Sequence, residues 1–230
     1  MLEFMTFPGG KGGLYRQLIN LIPVHDTYIE THLGGGAVMR HKAPANRSIG
    51  IDVDPDVVRD WQSEAVRGLL VVQGDATDFL RSFAFVGSEF IYADPPYVQS
   101  SRRRTRVYRH ELDDEGHVRL LDALCAAPAK VMISGYSSPL YEERLAHWNR
   151  VEFSTGSHGL ARTEIVWLNY EPPAVPFDKR FAGATFRERQ HIKRKQVRLQ
   201  QRISELSPVE RALFLDWVQT TYGGIEQRAS

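Results

Sequence analysis

From residue 10 to about residue 170, short apolar runs alternate with stretches of helical periodicity, and no other feature limits the fold as tightly. The runs are Thr27–Thr31, Ser48–Asp52, Leu69–Val72, Phe90–Ala93, Lys130–Ser134, Arg150–Ser154 and Glu164–Asn169. Between them lie helix-like segments at Gly13–Leu21, Gly36–Lys42, Pro55–Arg67, Thr77–Ser82, Asp113–Ala126 and Pro139–Ala146. This alternation predicts an α/β domain built on a mainly parallel sheet. The last two runs have no helix between them, so that edge is expected to be antiparallel. None of the runs nears the roughly 20 apolar residues that cross a bilayer, and Met1 to Gly13 lacks a basic region followed by an apolar stretch. A lone cysteine, Cys125, excludes an internal disulfide framework and a cysteine-only zinc site. These features predict a soluble, cytoplasmic protein with no membrane partner.

Glu171-Pro172-Pro173-Ala174-Val175-Pro176 ends the pattern, because prolines remove backbone donors and stiffen the chain. The reading is a first domain over 1–172, a linker over 173–184 and a helical hairpin over 185–230. Thr185 and Glu188 have capping-box spacing for one helix; Ser207, Pro208 and Glu210 mark the start of the next. Leu199, Ile203 and Leu206 are expected to face Val209, Leu213 and Trp217 across the hairpin. Charge is unevenly placed. Residues 179–202 hold nine Lys and Arg against Glu188 alone, a segment charge of +8 that leaves −7 for the rest of a chain whose total is +1. A second basic cluster comprises Arg102, Arg103, Arg104, Arg106 and Arg109. Two basic patches on a near-neutral chain are a polyanion footprint or a pair of solvated faces.

Chemistry is concentrated at Ile91-Tyr92-Ala93-Asp94-Pro95-Pro96-Tyr97. An apolar strand ends in a carboxylate, and two prolines then fix the exit of the chain while their carbonyls remain acceptors. Ligands bind at this end of strands in open α/β sheets. The exocyclic amine of a nucleobase is a poor nucleophile, since its lone pair is delocalised into the ring. Asp94 and the Pro95 carbonyl could take its two N–H groups and favour a pyramidal nitrogen, with Tyr97 stacked on the base. An ordinary aspartate titrates near ~3.9, so Asp94 would orient the amine and accept its proton late rather than deprotonate it first.

Asp94-Pro95-Pro96-Tyr97 resembles the catalytic motif of amino-methyltransferases acting on nucleic-acid bases. The stretch from Phe7 to Tyr170 resembles the Dam-type DNA N6-adenine methyltransferases of bacteria and their phages. The resemblance implies a Rossmann-like methyltransferase fold, with a seven-stranded, mostly parallel sheet and an antiparallel edge, to which the C-terminal hairpin is added. It implies transfer of a methyl group from S-adenosyl-L-methionine to adenine N6 of a flipped-out base in double-stranded DNA. By the family order, Phe7, Pro8, Gly9, Gly10 and Lys11, then Glu30, His32, Leu33, Gly34 and Gly36, then Asp52 and Val53, and Asp75 and Ala76, together with Asp94, would hold the cofactor. Asp52 would take its ribose and Asp75 would meet its adenine. Lys11 would reach either the cofactor carboxylate or a phosphate. Tyr108, His110 and Glu111, Ser134-Gly135-Tyr136 and Arg162-Thr163-Glu164 match later family segments.

Two departures stand out. Thr31-His32 replaces the family's Pro-Phe, and only 18 residues, Ala76 to Ala93, lie where the family carries a target-recognition insert. Recognition is therefore assigned to the Ser100–Glu111 loop, through Arg102, Arg103, Arg104, Arg106, Tyr108 and His110, and to the basic hairpin, through Lys193, Arg194 and Arg198, with Tyr97 of the catalytic motif as a further substrate contact. Blander readings accompany these. Asp52 and Asp75 also suit helix caps or turns, His32 suits a packing residue, and Gly9-Gly10-Lys11-Gly12-Gly13 lacks the spacing of an NTP-binding loop. The His110 to His117 group fits no standard ligand spacing, so no metal is expected. The same rim could serve cytosine N4 or RNA adenine, or persist in a non-catalytic DNA-binding module. A homodimer, a phage origin and a restriction-modification partner all stay open.

Overall fold

A computed structural model describes residues 13–64, 66–99, 109–155, 162–183 and 185–223. Seven strands form a single sheet: β1 (Thr27–Glu30), β2 (Arg47–Asp52), β3 (Leu69–Gln73), β4 (Glu89–Ala93), β5 (Lys130–Gly135), β6 (Asn149–Thr155) and β7 (Arg162–Leu168). Each predicted apolar run became a strand. β1 and β4 sit at the centre and are buried along almost their whole length, as fits strands covered on both faces. The order is β3-β2-β1-β4-β5-β7-β6. The first five strands are parallel, and β7 runs antiparallel between β5 and β6. The mixed edge is thus a β6–β7 hairpin beyond β5, with its second strand, β7, inserted next to β5.

The helices that cover the sheet are α1 (Tyr15–Leu21), α2 (Ala37–His41), α3 (Pro55–Ser63), α4 (Ala76–Ser82), α5 (Asp114–Ala126) and α6 (Pro139–Arg144). Several start where the sequence supplies an acceptor for orphan amides. Asp54, Asp75, Asp113 and Ser138 cap α3, α4, α5 and α6 through their side chains. On one face of the sheet, Ile29, Ile49, Ile51, Ile91, Val131 and Ile133 pack with Leu80, Leu120, Leu124 and Trp167. On the other, Tyr28 and Phe90 lie 5.9 Å apart by ring centroid, with His25 and Tyr170 beside Phe90.

The chain divides into two compact units, Met1–Asp178 and Lys179–Ser230. The end of the first unit is built in rather than loose. Phe177 N–H donates to the Ile22 carbonyl at 3.0 Å, and the buried Asp178 carboxylate accepts the Ala43 N–H at 2.7 Å.

The second unit contains α7 (Phe186–Ser204) and α8 (Pro208–Tyr222). Thr185 caps α7, and Ser207 with Glu210 forms the complete capping box of α8. Packing differs from the expectation. Leu199, Leu213 and Trp217 are each more than half exposed, and neither helix buries a residue. The facing hairpin core is therefore not formed. Apolar residues are distributed around α8 instead of along one stripe, so no single face of it can close against α7. Among the described residues no helix is long and apolar enough to cross a membrane.

Candidate active site

Strand register places the predicted residues. Glu30 is paired with Gly50 on one side and with Tyr92 on the other. Two residues beyond that row come His32, Asp52 and Asp94, at the C-terminal ends of three adjacent strands spaced about 4.8 Å apart. Thr31 N–H donates to the Tyr92 carbonyl at 3.0 Å, while Leu33 N–H donates to the Ile51 carbonyl at 2.9 Å. The chain thus crosses from the β4 side to the β2 side as it leaves β1, at the point where the strand order reverses. Such a switch point opens a crevice beyond the sheet.

The glycine turn is fixed by its neighbours. Gly34 N–H donates to Asp52 Oδ2 at 2.8 Å, and its carbonyl accepts the Trp61 indole N–H at 2.8 Å. Gly36 is left-handed, at φ +57°, and a Cβ there would lie 2.2 Å from the Trp61 ring. Only glycine satisfies both conditions. By contrast, a Cβ on Gly34 or Gly74 would meet nothing within 4 Å, so open space lies over both turns. Leu33 and Ala76 are buried beneath this region, and Val53 is exposed.

Asp52 is part-buried and accepts one N–H on each oxygen, from Gly34 and from Asp54 (2.9 Å). Burial raises its pKa against the pull of those amides. Each oxygen keeps a second lone pair, which suits a diol. Asp75 caps α4, with Oδ1 accepting Thr77 and Asp78 N–H groups at 2.8 and 3.1 Å. The capping role considered for Asp75 is therefore present. His32 shares a 2.9 Å hydrogen bond with Thr31 Oγ1. Burial, with His117 nearby, holds its pKa down at about 4, so it is a neutral ring at neutral pH.

Glu30 turns inward. Its Oε2 accepts the Tyr28 hydroxyl at 2.9 Å and the Met39 N–H at 3.1 Å, tying β1 to α2. Burial pushes this carboxyl up to about 8. Lys42 lies against the Tyr28 ring with its ammonium 4.0 Å from the centroid, and burial lowers it to about 8. In this geometry Glu30 braces the glycine turn from behind.

At the end of β4, Pro95 is buried while Asp94 and Pro96 are partly accessible. The buried Ser134 hydroxyl donates to Asp94 Oδ1 at 3.0 Å. Ser134 has a single proton, so the Tyr92 hydroxyl, 3.0 Å away, donates to Ser134. A Tyr92–Ser134–Asp94 relay therefore holds the carboxylate from below. Tyr97 is 7% exposed, less open than the stacking platform expected from the sequence. Its hydroxyl donates to both Glu164 oxygens, at 2.8 and 3.1 Å, and its ring centroid lies 4.3 Å from that of Tyr136. Ser134, Tyr136 and Glu164 gain these contacts from the adjacency of β4, β5 and β7, which local sequence does not encode.

His110 stands at the end of β2, with Nε2 3.8 Å from Asp54, and Arg109 pairs with Asp54 at 3.2 Å and with Asp56. This segment lies over the start of α3, on the Asp52 side of the crevice. Lys193, Arg194 and Arg198 line a shallow depression along α7 with Gln190 and Val197. Phe7, Pro8, Gly9, Gly10, Lys11, Arg102, Arg103, Arg104, Arg106 and Tyr108 lie outside the described residues. Among the described residues no group of three His, Cys, Asp or Glu could hold a metal ion.

No family model matches the chain, and no curated protein matches it. Similarity appears in three dimensions. The N-methyltransferase NodS from Bradyrhizobium japonicum WM9 superposes with a TM-score of 0.50 at 14% identity, over 70% of this chain and 97% of that one. The fold is that of the Rossmann-like methyltransferases. An rRNA methylase from Streptococcus thermophilus gives a TM-score of 0.49 at 8% identity, over 71% of this chain and 97% of that one.

Proposed function

We propose that this protein is an S-adenosyl-L-methionine-dependent methyltransferase acting on adenine N6 in double-stranded DNA. The observation that carries the reading is the row His32, Asp52 and Asp94 at the switch point, with Asp94 oriented by Ser134 and stiffened by Pro95 and Pro96. The crevice fits the cofactor. Open space lies over Gly34 and Gly74, Asp52 has lone pairs for a ribose diol, and neutral His32 forms a flat wall. Ala76 and Leu33 give an apolar floor, and Asp75 stands at the adenine end. Phe7 to Lys11 are assigned to the same site by resemblance. When bound, the cofactor supplies an electrophilic sulfonium methyl group.

The protein's own part is orientation. Asp94 and the Pro95 carbonyl accept the two N–H groups of the target amine, which localises the nitrogen lone pair toward the methyl carbon. Asp94 would accept the proton that the target amine releases on methylation, relieving the positive charge on its nitrogen. The Ser134 hydroxyl keeps Asp94 Oδ1 directed throughout. A base in a duplex cannot reach this rim, so it must be extruded. Tyr97, anchored by Glu164, then bounds it on one side. Lys193, Arg194 and Arg198 on α7, with Arg102, Arg103, Arg104, Arg106 and Tyr108, supply phosphate contacts, and His110, beside Asp54, adds a further substrate contact.

The test is to incubate duplex DNA with the full chain and methyl-labelled cofactor, digest it and identify the modified nucleoside. N6-methyladenine is expected. N4-methylcytosine, methylation confined to RNA, or cofactor-free DNA binding without transfer would each overturn the reading. Asp94→Ala should lower turnover by at least about 10²-fold while DNA affinity stays within a few-fold. Undiminished turnover would remove Asp94 from its role.

A further inference from the structure

Gly34, Gly35 and Gly36 make the turn after β1 the least self-supporting part of the crevice wall. Gly34 and Gly36 both hold left-handed backbone, at φ +44° and +57°. Ordering such a run removes more conformational freedom than ordering any other sequence, so its shape must be held from outside. The hydrogen bonds show what holds it. Leu33 N–H donates to the Ile51 carbonyl, Gly34 N–H to Asp52 and Gly36 N–H to the Leu33 carbonyl. These fix three of the amides. Two carbonyls are taken by side chains: that of Gly34 accepts the Trp61 indole N–H, and that of Gly35 accepts Arg40 Nε–H at 2.9 Å.

Arg40 lies on α2 and Trp61 on α3, and Glu64, at the end of α3, joins them. The Arg40 guanidinium lies over the Trp61 ring, 3.8 Å from its centroid. Its two terminal nitrogens each donate to one Glu64 oxygen, Nη2 to Oε1 at 2.7 Å. An exposed ion pair contributes little by itself. This one acts through direction, because carboxylate and ring together set the plane of the guanidinium, and that plane aims Nε at Gly35. Lysine, a point charge on a flexible stem, cannot stack on the ring, pair with both Glu64 oxygens and reach the turn at once. Trp61 is 2% exposed and packs with Leu33 and Val57, so the clamp is tied to the core.

We propose that Arg40, aligned by Trp61 and Glu64, is a positioning residue that holds the Gly34–Gly36 turn in its cofactor-binding shape before the ligand arrives. The inference rests on the reading of this crevice as the S-adenosyl-L-methionine site. No Cβ flanks the Gly35–Gly36 peptide to resist its rotation, so releasing the Gly35 carbonyl frees it. A ligand that meets a binding-competent turn only part of the time binds more weakly by that fraction. Asp94 stands at the end of β4, on the opposite side of β1 from β2. The effect therefore falls on cofactor affinity and not on the transfer step.

Isothermal titration calorimetry of the full chain tests this, with S-adenosyl-L-methionine and with S-adenosyl-L-homocysteine as separate ligands. Both affinities should fall about tenfold in Arg40→Lys, and by a smaller factor in Glu64→Gln, which keeps one acceptor for the guanidinium. In turnover assays the cofactor KM of Arg40→Lys should rise by the same factor, with saturating cofactor restoring kcat to within about twofold of wild type. A general loosening of the fold would not give that split. Amide hydrogen exchange reads the turn without the reaction: the Gly34 and Gly36 amides should exchange faster in Arg40→Lys, while those of β1 and β4 keep their wild-type rates. Wild-type affinity in Arg40→Lys overturns the proposal, and so does faster exchange spread across β1 and β4 with a kcat that saturation does not restore. A wild-type chain that binds neither ligand overturns the reading of the crevice and this inference with it, an outcome distinct from a wild type and an Arg40→Lys variant that bind equally well.

Discussion

Removing the acceptor that holds Tyr97 should weaken the first unit by an amount that depends on what replaces it. Tyr97 and Glu164 are 7% and 4% exposed, and one phenol proton is shared between two carboxylate oxygens at 2.8 and 3.1 Å. A hydrogen bond to an ionised group contributes about 1.5–3 kcal/mol, and a neutral one about 1 kcal/mol. Glu164→Gln keeps an acceptor and should cost about 1 kcal/mol. Glu164→Leu removes it and should cost about 2–3 kcal/mol, or a fall in Tm of roughly 4–12 °C for a unit of this size. Tyr97→Phe should cost a similar amount. The informative quantity is the coupling. Combining Tyr97→Phe with Glu164→Leu should cost less than the two separately, by about 1.5–3 kcal/mol, since one interaction cannot be lost twice. Urea unfolding followed by near-ultraviolet circular dichroism measures all four proteins. A coupling below about 0.5 kcal/mol would mean that the contact does not stabilise the fold, and the account of Tyr97 as an anchored wall would be wrong.

Gly36→Ala forces a Cβ to within 2.2 Å of Trp61 in a left-handed backbone, so it should cost at least about 2 kcal/mol and weaken cofactor binding, as read by a thermal melt with and without ligand. Glu30 has its folded pKa raised from 4.5 to about 8, so between those values the folded chain holds a proton that the unfolded chain has lost. Its contribution therefore makes stability fall as pH rises through that window, and Glu30→Gln should flatten the stability–pH profile. A truncation ending at Asp178 should keep the Ala43 N–H satisfied, whereas one ending at Pro172 should melt lower by an amount equivalent to about 1–3 kcal/mol. Both truncations remove the +8 segment, so both should lose DNA affinity and flatten its dependence on salt in a filter-binding titration.

How far the sequence reaches depends on the range of the interaction. Strands such as β4 are legible because Phe90–Ala93 is an apolar run soon followed by Pro95 and Pro96, all local facts. Caps are equally local, which is why Ser207 with Glu210 could be read directly from spacing. The place of β7 between β5 and β6 could not, because it follows from pairing over long sequence separations. The partners of Asp94 and Tyr97 depend on that same placement. Ser134 meets Asp94 because Ala93 pairs with Ile133, and Glu164 meets Tyr97 because Gly135 pairs with Ile165. Glu30 shows the opposite limit. Its position in the glycine turn suggests a ligand contact, and the structure adds two partners that spacing does not show, Tyr28 and Met39, both on Oε2. Residues that would meet substrate are thus marked by motif, while residues that hold them are set by register. Shifting β5 or β7 by one residue would turn Ser134 or Glu164 to the opposite face and leave Asp94-Pro95-Pro96-Tyr97 intact in sequence but unsupported. Sheet register is therefore as much a determinant of this site as the motif itself.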